Sequence, residues 1–496
     1  MKKFLRLCLT LLLIMSMLLC AACGGGTATL EVESEYDNDF FTDEETDVDV
    51  DVDVDADEDT DDTNSSAKSK SSSKSSSKST NKTTSIDTES VKKATTVGGK
   101  SWSDVLASMP KSLKGTKLTV VNWNPISEYT GASAVVKEFQ KQTGITVNWT
   151  VVEYGVYTTK IATMVASGNS PDVIRTRTPN PSWMQSLQSI NCTGYDFSDE
   201  AWDQVLMKDY TVNGVCYATS LKNTHIGSVT LVMYNKDLIS KYNYEDPYKL
   251  WKNGKWTMSK YLSMCREFKK DSGEDFASVG DYYETWSQLY GIAGPVGFDG
   301  SKFYSNLSNS KFLTVTQQIA DWYKSEQIMG WGRAEYFDEG KALFYVGGSI
   351  YLRRNNSYFG SIKSSGTLYA VPMPSVDGQS TYYQPKDEYE AYGIPVGAKN
   401  AQAVPYFLRY YLDGANYDLD SFYCNKQNLE VYTWCMSQEN TIWTTKYESS
   451  DDTFADGKTG LYSLQSSQIK SYLDSNSYMI DERVKKLNNL VSKLNK

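Results

Sequence analysis

The sequence predicts an α/β protein of two lobes. Three observations carry this. Strand and helix signals alternate between residues 118 and 174, a second strand runs straight into a helix at 229–238, and 496 residues are too many for one compact core.

The elements follow in order. Leu118 to Trp123 reads as a strand, closed by Pro125. Ala132 to Gln142 reads as a helix with Val135, Val136 and Phe139 on one face and Gly144 as its stop. Ile145, Val147, Trp149 and Val151 alternate as on a strand. Tyr154 to Ala166 is a second helix, with Ile161, Met164 and Val165 on one face; Gly168 ends it and Pro171 prevents its resumption. Asp172-Val173-Ile174 is a short buried strand. This β-α-β-α-β order implies parallel strands with helices outside. Further on, Val229 to Tyr234 is a strand. Thr257 is placed to cap a helix whose apolar side is Tyr261, Leu262, Cys265 and Phe268.

Several junctions between these elements carry a resemblance. Ser167-Gly168-Asn169-Ser170-Pro171-Asp172-Val173, the strand running into Tyr234-Asn235-Lys236-Asp237-Leu238, and Gly254-Lys255-Trp256-Thr257 occur in order. Phe337 to Phe344 leading to Gly347-Gly348-Ser349, Tyr369 to Pro374, and Tyr392 to Val396 before a helix over 403–412 continue the set. Together they resemble the family 1 extracellular solute-binding proteins, the receptors of ABC importers. The resemblance implies a two-lobe periplasmic-binding-protein-like fold of type II with the ligand in the cleft. It also implies crossings near 224–229, 389–393 and 440–460. Lobe 1 would take about 116–226 and 390–445, lobe 2 about 229–388 and 450–496.

The N-terminus reads as an export signal. Lys2, Lys3 and Arg6 precede an apolar run from Leu7 to Leu19, shorter than a bilayer span. Leu19-Cys20-Ala21-Ala22-Cys23 resembles a lipobox, with Cys20 where Leu is usual, which implies lipidation of Cys23 and a lipid anchor on the outer face of a Gram-positive type membrane. Residues 24–62 hold 18 acids and no base, and residues 63–100 hold 8 lysines against 2 acids. Neither block can bury enough apolar surface to fold, so 24–100 is expected to be a disordered tether with a reach of about 50 Å. The acidic repeat lacks the glycine turn of a calcium loop. The remaining chain nets about −2, which offers no field for nucleic acid.

Catalytic signatures are sparse. His225 is the one histidine, at the first expected crossing, and reads first as structural. No zinc, nucleophile-elbow or P-loop motif is present. Cys192, Cys216, Cys265, Cys424 and Cys435 lack metal spacing; free thiols or a bridge such as Cys192–Cys216 both fit. Neither cofactor nor metal is implied.

Aromatic content is high, with 36 Tyr and 12 Trp. Flat rings with polar edges suit sugars, although most such rings pack cores. Position singles out Trp123, Asn124, Tyr154, Arg175, Arg177, Tyr351, Glu390 and Tyr392, with Trp286 and Trp443 as outliers. The resemblance implies a monomeric receptor that passes a small-molecule solute, a carbohydrate first, to ABC permease subunits without turning it over. A cell-surface enzyme using paired carboxylates, and a receptor-derived sensor or adhesin, are the competing readings.

Overall fold

The computed structural model describes residues 98–494 except 129–131, 177–178, 223–227, 281–282, 293, 354–355, 389–390, 415–424, 437–441 and 445–462. The expected signal peptide, Cys23, nearly all of the tether, Arg177, His225, Glu390 and Cys424 lie outside the described residues.

The first sheet is built from β1 (Lys117–Asn122), β2 (Thr146–Val151) and β3 (Val173–Arg175), all parallel, with α2 (Ala132–Thr143) and α3 (Tyr157–Ala166) as the crossovers. α1 (Trp102–Ser108) precedes them. Val136 and Phe139 are buried against Leu118, Val120 and Val173, as the helix spacing predicts. Gly168 takes φ +74°, and the Gly168 and Asn169 amides donate back to Val165 and Met164, closing α3. β2 is the sheet edge and its Val151 is exposed.

The chain continues through α4 (Pro181–Met184), β4 (Leu187–Gln188), α5 (Gln204–Asp209), the hairpin β5 (Thr211–Val212) and β6 (Val215–Cys216), and β7 (Ala218–Thr219). It then enters a second sheet at β8 (Ser228–Asn235), which is buried along its whole length. Asn235 caps α6 (Lys236–Lys241), Asp246 caps α7 (Pro247–Lys252), and Thr257 caps α8 (Met258–Ser272) through the Lys260 amide. Tyr261, Leu262, Cys265 and Phe268 are all buried, as predicted.

The second sheet has the order β12-β9-β13-β8-β15-β17, with β14 also on β8. Its strands are β9 (Ser278–Gly280), β12 (Met329–Trp331), β13 (Phe344–Gly348), β14 (Leu368–Pro372), β15 (Tyr383–Glu388) and β17 (Ile442–Thr444). α9 (Tyr283–Gln288), the hairpin β10 (Val296–Phe298) and β11 (Phe303–Ser305), α10 (Ser310–Ala320), α11 (Ala334–Asp338) and α12 (Gly360–Ser365) fill the intervals. β16 (Tyr392–Pro395) returns to the first sheet between β3 and β4, and α13 (Val404–Gly414) packs on α2.

The parallel order expected for 118–174 holds but does not extend to the entering strands. β16 runs antiparallel to β3, β4 and β7, and β8 runs antiparallel to β13, β14 and β15. A parallel neighbour needs a crossover helix on its own sheet. β8 and β16 each arrive from the other sheet, so that constraint is absent.

The expected last crossing at 440–460 is also displaced. α14 (Lys426–Met436) packs on β14, and β17 pairs with β15, so both belong with the second sheet. The buried Asn428 amide explains why: it accepts from Ala370 N–H at 2.8 Å and donates to the Leu368 carbonyl at 3.2 Å, completing the free edge of β14. The described chain thus belongs with the first sheet up to Gly414 and with the second from Lys426. The last helix, α15 (Ser466–Leu494), is amphipathic, and among the described residues no helix is long and apolar enough to cross a membrane.

Candidate functional site

Open α/β sheets present ligands at the carboxyl ends of their parallel strands. In the first sheet those ends are Asn122 and Trp123 after β1, and Arg175 and Thr176 after β3. Tyr157, at the start of α3, places its hydroxyl 2.9 Å from the carbonyls of both Val121 and Arg175, stitching the two strand ends together. Thr176 donates to the Ala391 carbonyl through N–H (2.8 Å) and Oγ1 (3.1 Å), which fixes the return of β16 beside β3.

Trp123 stands at this edge, half-buried. Tyr154 and Tyr157 meet its ring edge-on at 5.4 and 5.0 Å, and the Arg175 guanidinium lies 4.3 Å from its centroid. The structure thus brings Trp123, Tyr154 and Arg175 together. Tyr154 is 49% exposed, so this cluster opens to solvent on one side while Arg175 is buried at its base. Asn124 accepts the Trp149 indole N–H at 3.1 Å on its carbonyl and holds the chain as it turns away. A cavity of about 10 Å³ lies between Tyr157, Ile174, Arg175, Thr176 and Trp183, room for a single water.

Other expected residues lie elsewhere. Trp286 is 1% exposed, packed against Tyr261 and Trp322 with its indole N–H donating to Tyr323; it is core of the second lobe and does not line the cleft. Tyr392 sits in register with Arg175 but is fully buried in the cluster beneath α2 and α13, so its ring is packing as well. Both corrections have one cause: a large apolar ring beside a strand is worth more in a core than in water. Tyr351 follows β13 as expected, near Ser349, whose hydroxyl accepts from Val229 N–H at the entry of β8. Its ring is half-buried against Tyr345, Tyr358 and Phe359. Gly347 is required there, since a Cβ would stand 2.6 Å from the Tyr345 ring and 3.1 Å from Tyr351. The side chain of Trp443 lies outside the described residues.

Sequence reasoning named Arg175 but missed the rest of the polar floor. Asn122, Arg175 and Thr219 lie at the crevice end of β1, β3 and β7, and all are buried. Asn122 Nδ2, Thr219 Oγ1 and the neighbouring Ser220 Oγ find no hydrogen-bond partner among the described residues. Buried polar atoms are normally satisfied, and orphans at a site are what a polar ligand or water would complete. The available signal was polar residues ending apolar strands. Among the described residues no group of His, Cys, Asp or Glu could hold a metal ion. Cys192, Cys216, Cys265 and Cys435 are free thiols.

A larger groove, about 490 Å³, lies on the second lobe between α6 and α7, lined by Lys236, Asn243, Asp246, Lys249 and Lys255. It sits at the end of β8 away from the crossings, and its Asp246 and Glu245 are already engaged by Lys236 and Lys260.

No curated protein matches the chain. Among solved structures, the galacto-N-biose/lacto-N-biose I-binding protein of an ABC transporter from Bifidobacterium longum, in complex with lacto-N-biose, is 14% identical, with a TM-score of 0.55, covering 75% of this chain and 98% of that one. The GacH receptor of Streptomyces glaucescens, solved unliganded and with acarbose, is 15% identical, with a TM-score of 0.50, covering 76% of this chain and 98% of that one. These similarities establish the two-lobe periplasmic-binding-protein-like fold. Residues 134–419, more than half of the chain, match the family described as bacterial extracellular solute-binding protein, and the chain belongs to that family.

Proposed function

We propose that the protein is a lipid-anchored receptor that binds a sugar or oligosaccharide and delivers it to the permease subunits of an ABC importer. The observation that carries this reading is the cluster of Trp123, Tyr154 and Arg175 at the strand ends, together with the Asn122 Nδ2 that finds no partner among the described residues. A ring stacks on the apolar face of a sugar, and buried amide and hydroxyl groups pair with its edge. Relatives of the same fold were solved with lacto-N-biose and with acarbose, which supports the ligand class. The solute is bound and released unchanged by a monomer whose lobes close over it. Cys23 carries the anchor and residues 24–100 serve as the tether.

The test is a thermal-shift screen of the purified chain against mono- and oligosaccharides, followed by calorimetry on the hits. A sugar that raises the melting point and titrates with one-to-one stoichiometry supports the reading. Steady hydrolysis of that sugar, abolished by a carboxylate substitution, overturns it in favour of an enzyme. Cys23→Ala should move the protein from the membrane fraction to the medium without altering affinity; retention would assign the anchor to residues 7–19.

A further inference from the structure

We infer that α15 is a strap that fastens the two lobes together at the wall of the site. Along this 29-residue helix Ile469, Leu473, Ile480, Leu487 and Val491 are buried. They recur at steps of four and seven, so they form one stripe on one face. The stripe joins a single apolar cluster that contains Phe312, Val315 and Ile319 of the second lobe and Trp183, Tyr210 and Tyr217 of the first.

The helix is held to the second lobe along most of its length. At its start the Ser466 carbonyl accepts from Gln317 at 3.3 Å, and Gln465 accepts from Ser325 at 3.0 Å. Six residues before its end, Asn488 behaves as a strand: its Oδ1 accepts from Phe303 N–H at 2.8 Å and its Nδ2 donates to the Phe303 carbonyl at 3.0 Å.

The last turn then reaches the first lobe. The Tyr217 hydroxyl donates to the Leu494 carbonyl at 2.9 Å, one of the carbonyls a helix end leaves without an internal partner. α15 also packs on α4, the short helix after β3 that contributes Trp183 to the cavity beside Arg175. Next to it the two hairpin turns touch, with Asn213 N–H donating to the Gly300 carbonyl at 3.0 Å. Separating the lobes therefore requires the last turns of α15 to leave α4 and Tyr217, so the state of the strap sets access to the site.

Hydrogen exchange of the full chain tests this with no ligand present, so its outcome is independent of which solute the protein takes. Two variants act from opposite sides. Tyr217→Phe removes the first-lobe bond, and Asn488→Ala removes the second-lobe anchor. Loss of one such bond should raise opening about threefold to tenfold. The expected result is faster exchange in 486–494, 181–184 and 210–218 together in both variants, with β8 and β13 unchanged. The informative arm is Asn488→Ala, where a second-lobe change must be felt at 181–184. Unchanged exchange, or a rise confined to the end of α15, overturns the strap, because either means that the helix end frays without parting the lobes.

Discussion

Asp172 is hydrogen-bonded to Asn400 across 228 residues of chain. One carboxylate oxygen accepts the Asn400 amide at 2.7 Å; the other accepts Thr119 N–H at 2.9 Å and Asn400 Nδ2 at 3.2 Å. The acid of the Ser-Gly-Asn-Ser-Pro-Asp-Val stretch thus ties the middle of β1 to the turn that opens α13. It sits at the end of the sheet away from the crevice, so its work is structural. Asp172→Ala removes three bonds from a buried carboxylate to half-buried donors and should destabilise the fold by about 1–3 kcal/mol, with affinity of the folded fraction unchanged. Urea denaturation paired with calorimetry checks both halves. A loss of affinity at unaltered stability would move Asp172 into the site.

Three aromatic substitutions separate crevice from core. Trp123→Ala should cost at least about tenfold in sugar affinity, since stacking and lost burial together exceed 1.4 kcal/mol, while the melting temperature moves little. Trp286→Ala should do the reverse, with a stability loss of about 3–5 kcal/mol. Tyr351→Ala should lower both, because its ring holds Tyr345, Tyr358 and Phe359 in place at the strand end. Trp123→Ala that melts far below wild type and binds normally would make Trp123 packing.

Acid should loosen α14 from the second lobe. Glu430 accepts from Lys252 Nζ at 2.7 Å and from the Tyr248 hydroxyl at 2.6 Å, both on α7. Burial pushes its carboxyl up, but the Lys252 and Tyr248 bonds outweigh that and hold it below its ordinary value. A lowered folded-state pKa adds stability above the unfolded value of about 4.3 and loses it as pH falls through the lowered one. Glu430→Gln should therefore lose stability at neutral pH and show a shallower decline into acid. The effect should stay under about 1 kcal/mol, since both side chains are half-exposed and screened. Parallel melting curves for the two proteins from about pH 7 to 3 would show that this pair does not hold α14.

Much of the fold was legible because its signals are local. Thr257 and Gly168 announce helix ends through cap chemistry that needs only a few neighbouring residues. Trp123, Tyr154 and Arg175 could be singled out as candidates because they follow strands, and such sheets place ligands at strand ends. What was not legible depends on distant partners. Trp286 and Trp123 are the same residue type near element ends, and only Tyr261, Trp322 and Tyr323 make one of them core. α14 has no local mark of its lobe; the side chain of Asn428 assigns it by completing β14. Asn122 and Thr219 look like ordinary strand residues until burial leaves Asn122 Nδ2 and Thr219 Oγ1 without a partner among the described residues.

The position of β16 has a consequence for the order in which the molecule assembles. It lies between β3 on one side and β4 and β7 on the other, yet it follows β7 by about 170 residues. Until that segment is available the first sheet has a gap at its centre and two bare strand edges, each able to pair with another chain. The loop to be closed is long, and contacts so far apart in sequence form slowly. The first lobe is therefore finished late, after β8, β9, β12 and β13 of the second sheet have had time to pair, and a fragment ending before residue 392 will expose those edges and aggregate. Closure of the first sheet thus waits until about four-fifths of the chain has been made.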